Sequence, residues 1–345
     1  MKQKENILFD FTTKICYNKV SYYNILYKEI KMEPIFFKPA YKNVIWGGNN
    51  ISKIFKRNIT GDDIGESWEL SAHPNGLSKI ESKSIAQDDL LKLFSDTSIR
   101  REIFGTDCEK LDRFPILIKF IDASKNLSIQ VHPDDEYARK YENDSGKTEV
   151  WYIVDCKENA KIVYGFKDNV TEDNLKIAVN NIEEYVKTVN VHKGDFISIP
   201  AGTIHSIMEG IVVCEIQQSS DITYRVFDWN RVDKDGKPRQ LHKEKALDVI
   251  KLNNKNKIYN YSKIDSNTNI YKSDIFNIDM IKVDGELNAK SNEQSFYAYI
   301  VIEGSGSIKS GNFIRNIENG TTFLIPATLG DYSISGNVKL MKIWV

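Results

Sequence analysis

Residues 194–216, GDFISIPAGTIHSIMEGIVVCEI, and residues 320–343, GTTFLIPATLGDYSISGNVKLMKI, align without a gap. Gly194 falls on Gly320, Pro200 on Pro326 and Gly210 on Gly336, and the alternating apolar positions around them coincide. Each copy reads as a glycine turn, a strand, a proline turn and a second strand, so the chain carries two related β-modules. The difference that bears on chemistry is at His205 of the first copy, which falls on Asp331 of the second, and no histidine follows His242. The first module is therefore the place for histidine chemistry, and the second is expected to be a structural barrel without a metal.

Working outward from the first copy, short segments rich in β-branched and aromatic residues follow one another from Phe114: FPILIKFIDA, LSIQVHP, EVWYIVD, AKIVYGF, DFISIP and IVVCEIQ. VIEGSGSI, at 301–308, adds a further hairpin ahead of the second copy. The pattern predicts a mainly β fold, two cupin-type jelly-roll barrels with a few peripheral α-helices. Helical spacing predicts helices after Thr171 (Leu175, Val179, Ile182, Val186), over Ile85 to Phe94 and over Lys243 to Leu252. The expected division is a first cupin domain with helical insertions over 32–255 and a metal-free cupin-like domain over 256–345. Residues 1–31 interrupt short apolar groups with lysines and show no cleavage site, whereas Met32 opens MEPIFFKPAYKNVIWGG like the start of a domain. They are expected to be an N-terminal extension, weakly ordered.

Composition narrows the class of partner. The 345 residues carry 28% charged side chains that nearly cancel, to a net charge of −1. No global field favours nucleic acid or an anionic membrane. No apolar run approaches the roughly 18 to 20 residues that a bilayer-spanning helix needs. Cys16, Cys108, Cys156 and Cys214 are scattered without CxxC pairing. That usage fits reduced thiols and a cytoplasmic location.

In LSIQVHP the strand period of two sends Ser128, Gln130 and His132 to one face and Leu127, Ile129 and Val131 to the other. Alone, this is an amphipathic strand with a solvated polar row. Inside a barrel, the same row needs water, a ligand or a metal to satisfy it. Glu149 in GKTEVWY and His205 in PAGTIH supply further ligand types on neighbouring predicted strands. With Gln130 they make a set of two imidazoles, one carboxylate and one amide. That set suits zinc, and the absence of thiolates points to a catalytic rather than a structural ion. His73, His192 and His242 are given no metal role.

Four motifs, SIQVHPDD, GKTEVWY, IPAGTIHS and TYRVFDWNR, resemble in type and order the Gln-x-His-Pro, Lys-x-Glu, PAGxxH and Tyr-Arg-x-x-Asp-Trp motifs of type I mannose-6-phosphate isomerases. FFKPAYKNVIWGG and GESWELSAHPNG resemble that family's opening region, so the likeness runs from Met32 to the C-terminus. It implies one zinc per chain held by Gln130, His132, Glu149 and His205, and a hexose 6-phosphate substrate. The implied reaction interconverts mannose 6-phosphate and fructose 6-phosphate through an enediol. Arg225 is implied as an active-site residue, and its permanent charge suits it to the developing negative oxygen. Proton abstraction is left among Lys147, Glu149, Glu66 and zinc-bound hydroxide. Lys119 and Ser128 match positions that bind the sugar phosphate. The KDGKPRQ stretch from Lys234 reads as a solvated loop. Two departures from the family stand out: the long forms' helical insertion is missing, and Gly146 stands where they carry a histidine. A non-catalytic metal- or sugar-binding cupin and an iron-dependent dioxygenase are the rival readings. No membrane partner is expected, and the chain is expected to be a monomer or weak homo-oligomer.

Overall fold

The computed structural model describes residues 32–345 apart from 62, 83, 234 and 253–256. The expected N-terminal extension, with Cys16, lies outside the described residues. The first barrel is made from two facing antiparallel sheets. One runs, in spatial order, Ile258–Asn260, Asp195–Ile199, Glu149–Cys156, Ile211–Gln218, Ile116–Ala123, Ile64–Leu70 and Ala40–Gly48. The other runs Tyr224–Phe227, Ile129–Val131, His205–Ile207, Lys161–Phe166 and Val186–Asn190. Between them lie Ile121, Trp151, Ile153, Ile162, Ile197, Ile207 and Val213.

All eight residues of Ile116–Ala123 are buried. A strand reads as a continuous apolar run when both its faces are covered. Ile121 and Ala123 face the barrel interior, while Ile118 and Phe120 belong to a cluster behind the sheet. That cluster also takes Ile278, Met280, Ile300 and Met341 from the second barrel, so the two barrels share one core. Phe94, Phe104, Phe114 and Phe296 close its end, with ring centroids 5.1 to 5.9 Å apart. Each fully buried ring contributes about 1.5–3 kcal/mol of transfer free energy. The second barrel wraps its own interior of Val283, Tyr299, Val301, Phe323, Ile334 and Leu340.

The repeat survives in the backbone. Gly194 and Gly320 have φ of 89° and 85°, and their partners Gly210 and Gly336 also sit at positive φ. Two pairings cross the border expected at residue 255. Ile258–Asn260 pairs with Asp195–Ile197 in the first barrel, and Ile35 pairs with Leu324 in the second. Each exchanged strand covers a sheet edge that would otherwise expose unpaired backbone groups.

The helices differ in extent from the sequence expectation. The one expected over Ile85 to Phe94 spans only Leu90–Ser95, because Asp89 is extended and its side chain accepts from Lys92 N. Asp88 is drawn instead to Ile80, whose N–H donates to its carbonyl. The helix after Thr171 breaks at Asn181 into Leu175–Asn180 and Ile182–Tyr185, and Val186 already begins a strand. The third covers Lys243–Val249. Among the described residues, no helix is long and apolar enough to cross a membrane.

Candidate active site

Strand register assembles the site. Across the smaller sheet, Arg225 pairs with Gln130, Gln130 with His205 and His205 with Tyr164, which places three of the expected residues on one rung. Across the larger sheet, Trp68 pairs with Lys119, Lys119 with Glu215 and Glu215 with Trp151. The two rungs face each other over a cavity of about 370 Å³ lined, among others, by Glu66, Lys119, Ser128, Gln130, Lys147, His205 and Arg225.

His132, Glu149 and His205 are each 1% exposed, and one potential ligand atom from each lies within 4.8 Å of the others. The histidine tautomers follow from their partners. His132 Nδ1 is 2.7 Å from the Ile222 carbonyl and His205 Nδ1 is 2.8 Å from that of Thr203. A carbonyl only accepts, so both Nδ1 atoms carry the proton and both Nε2 atoms present lone pairs. Those lone pairs face the Glu149 oxygens at 3.5 and 3.3 Å. Neither Glu149 oxygen has a hydrogen-bond partner among the described residues. Four lone-pair atoms converging in a dry place repel one another unless a proton or a cation sits among them. A divalent cation fits this set.

Gln130 closes the group, with its Nε2 3.5 Å from His132 Nε2 and 3.4 Å from His205 Nε2. Its Oε1 accepts from Ser128 Oγ at 3.0 Å. Turning the amide over would offer the oxygen to a cation instead. Lys147 Nζ stands 3.4 Å from His132 Nε2 and 3.6 Å from Glu149 Oε2.

Burial, and then the Lys147 charge, push the His132 imidazole well below its ordinary value; burial likewise takes His205 to about 4. Both rings are neutral at pH 7, as ligands must be. Burial and the Glu215 charge raise Glu149 to about 8. Without a cation Glu149 therefore holds a proton below about pH 8, and cation binding must release it. The sign follows: divalent-ion affinity should rise with pH by up to about tenfold per unit and flatten above about pH 8. Titration calorimetry between about pH 6 and 9 checks this, with proton release read from the buffer dependence of the heat.

Lys119 is the second buried charge. Its Nζ lies 2.9 Å from Glu215 Oε1 and 3.7 Å from Glu66 Oε2. Burial alone would depress this ammonium, but Glu215 and Glu66 outweigh it and hold the pKa above its usual value. Trp151 Nε1 donates to Glu215 Oε2 at 2.8 Å. Arg225 Nη1 donates to the Gln240 carbonyl at 3.0 Å, while its buried Nε has no hydrogen-bond partner among the described residues.

The structure thus brings all eight expected site residues to one place. Glu215, Arg239 and His242 line the same cavity and were missed. Glu215 had a signal, a single charge in the apolar run IVVCEIQ. Trp46 and Trp151 border the cavity, and Trp229 donates its Nε1–H to the Leu127 carbonyl at 2.6 Å. A Cβ on Gly146 would come within 2.5 Å of Asp135 N, so no histidine fits there. Asp331, the counterpart of His205, has an 86% exposed side chain near Lys290.

The family model "Phosphomannose isomerase type I, catalytic domain" matches residues 35–185, and "Mannose-6-phosphate isomerase, cupin domain" matches 266–345. Mannose-6-phosphate isomerase ManA of Bacillus subtilis (strain 168) is 36% identical over 313 residues, covering 88% of this chain and 96% of the relative. Mannose-6-phosphate isomerase of Streptococcus mutans is 33% identical over 314 residues, covering 90% and 97%. The crystal structure of the mannose 6-phosphate isomerase from Bacillus subtilis superposes with a TM-score of 0.81 at 35% identity, covering 90% of this chain and 99% of that one. A relative more than 30% identical along nearly the whole length, with both family models matched, leaves one conclusion: the chain belongs to the type I phosphomannose isomerases.

Proposed function

We propose that the chain is a zinc-dependent aldose–ketose isomerase that interconverts mannose 6-phosphate and fructose 6-phosphate by proton transfer through an enediol. The observation that carries this reading is the buried convergence of two neutral imidazoles with a carboxylate whose oxygens have no hydrogen-bond partner among the described residues, at the wall of a sugar-sized cavity. The names of the relatives support the substrate. Gln130, His132, Glu149 and His205 would hold the zinc. Bound there, zinc supplies Lewis-acid polarisation of the carbonyl and hydroxyl oxygens at carbons 1 and 2.

The remaining work falls to the chain itself. Arg225 presents a fixed guanidinium to the oxygen that gains negative charge, and as a permanent cation it abstracts nothing. Lys147 Nζ, buried beside His132, handles the proton that passes between the two carbons. Glu66 is the other wall residue able to take that part. Ser128 orients Gln130 and, with Lys119, touches the substrate's oxygens. A cytoplasmic location belongs to the same proposal and is supported by the free thiols Cys108, Cys156 and Cys214. So does a monomeric or weakly associating state.

A coupled assay for fructose 6-phosphate formation tests the reading. The zinc-loaded chain should turn over, lose activity to a chelator and regain it with zinc. Arg225→Ala should lower kcat by about 10²-fold or more, in the range of a lost electrostatic stabiliser. A zinc-loaded chain that binds the ion but makes no fructose 6-phosphate would be a non-catalytic cupin.

A further inference from the structure

Lys147 has to hold one proton in one place, yet a lysine stem of four carbons turns freely unless both its ends are fixed. The ammonium end faces His132 Nε2 at 3.4 Å and Glu149 Oε2 at 3.6 Å. At the backbone end, three consecutive amides are all engaged. Gly146 N–H donates to Asp135 Oδ1 at 2.9 Å, Lys147 N–H to the Pro133 carbonyl at 3.0 Å and Thr148 N–H to Gln218 Oε1 at 2.9 Å. Gln218 N–H donates back to the Thr148 carbonyl at 3.1 Å. The Gln218 side-chain nitrogen then closes the clamp, donating to Asp135 Oδ1 at 3.2 Å and to Oδ2 at 3.1 Å.

Asp135 and Gln218 stand behind the cavity wall, outside its lining. Gln218 ends the strand Ile211–Gln218, whose alternation turns Glu215 into the barrel and Ile216 and Gln218 to the other side. At 6% exposure, a primary amide is costly to bury unless its oxygen and its nitrogen are both satisfied. Here the oxygen serves the Lys147 segment, and the nitrogen serves Asp135, the first residue of the helix Asp135–Tyr141. Gly146 belongs to the same arrangement. Its backbone lies too close to Asp135 to leave room for a Cβ, so the position that is a histidine in the long forms is given over here to a backbone contact. Pro133 directly follows His132, so the Lys147 backbone is tied to the same strand end as the imidazole that its ammonium faces.

We propose that Gln218, held against Asp135, is a positioning residue for the isomerisation: it fixes the backbone of residues 146–148 so that Lys147 Nζ meets carbons 1 and 2 of the substrate from one direction. Lys147 is the group that touches the substrate, and Gln218 acts only through it. A glutamine that merely stabilised the fold would change how much of the chain is folded. A positioning glutamine changes the turnover of chain that is folded and zinc-loaded. The inference rests on the isomerase reading and on the part given there to Lys147.

Steady-state kinetics at saturating zinc, paired with amide hydrogen exchange over residues 146–149 read by mass spectrometry, tests it on the full chain. Gln218→Leu should lower kcat by about 10- to 100-fold with KM for mannose 6-phosphate within about threefold, the range expected when a reacting group is slightly misplaced. Exchange over the segment should quicken by about tenfold in the same variant. Gln218→Glu and Asp135→Asn each set like groups against one another, two carboxylates or two amide nitrogens, and should lose turnover in the same way. Combining them swaps amide and carboxylate across the pair: the new amide nitrogen donates to the new carboxylate, and Gly146 and Thr148 keep their acceptors. The double variant should regain kcat to within about threefold of the wild type, and slow exchange with it. Single variants with unchanged kcat, a double variant as impaired as the product of the singles, or a loss that saturating zinc repairs would each overturn the proposal while leaving the isomerase reading intact. If the wild type forms no fructose 6-phosphate but slow exchange is lost in the singles and regained in the double variant, the isomerase reading falls and the clamp on residues 146–148 stands.

Discussion

His205→Ala is expected to abolish retention of the divalent ion and to lower turnover by at least about 10³-fold, with the barrel still folded. The size follows from the several kcal/mol that a Lewis acid supplies to a developing oxyanion, at about 1.4 kcal/mol per factor of ten. Folding should tolerate the change because the His205 ring spends its Nδ1 on a local carbonyl two residues away and its Nε2 only on the ligand set. Removing the ring also relieves lone-pair crowding around Glu149. Metal content by plasma mass spectrometry and circular dichroism separate the two effects. A variant that keeps a stoichiometric ion and near-native turnover would remove His205 from the site.

The second large effect concerns stability rather than turnover. Lys119 and Glu215 are direct cross-strand partners in the barrel interior, 2.9 Å apart and both nearly inaccessible. Truncating either member leaves an uncompensated buried charge, so Glu215→Ala and Lys119→Ala should each cost about 3–5 kcal/mol. Lys119→Ala leaves Glu66 as well as Glu215 without their shared cation and should be the worse of the two. Replacing both residues by methionine should restore most of the stability while activity stays low. A double-mutant cycle by chemical denaturation measures the coupling. Additive single effects would show that the pair does not act as a unit.

Much of this fold could be read from residues alone because the signals were periodic. The gapless repeat predicted two modules, and positive φ at Gly194, Gly210, Gly320 and Gly336 explains why glycine recurs at those offsets. The period of two in LSIQVHP separated Ser128, Gln130 and His132 from Ile129 and Val131, and the structure packs Ile129 and Val131 against the outer helices. Parity has no hold where the chain leaves a strand. Arg239 and His242 reach the cavity from a loop, and only the three-dimensional closure of that loop on Asp228 and Arg225 reveals them. Glu215 was legible in principle. Its significance needed the strand register that sets it opposite Lys119, and register follows from long-range pairing that a single sequence does not display. The strand exchange at Ile35 and at Ile258 was hidden for the same reason.

The isomerase reading requires a cation between the Nε2 atoms of His132 and His205 and the carboxylate of Glu149. Anomalous diffraction across the zinc edge, on crystals of the wild-type chain purified without added chelator, tests this most directly. One anomalous peak per chain is expected, within bonding reach of both Nε2 atoms and a Glu149 oxygen, and lost in His205→Ala crystals. A fully active chain without a peak at that position would contradict it.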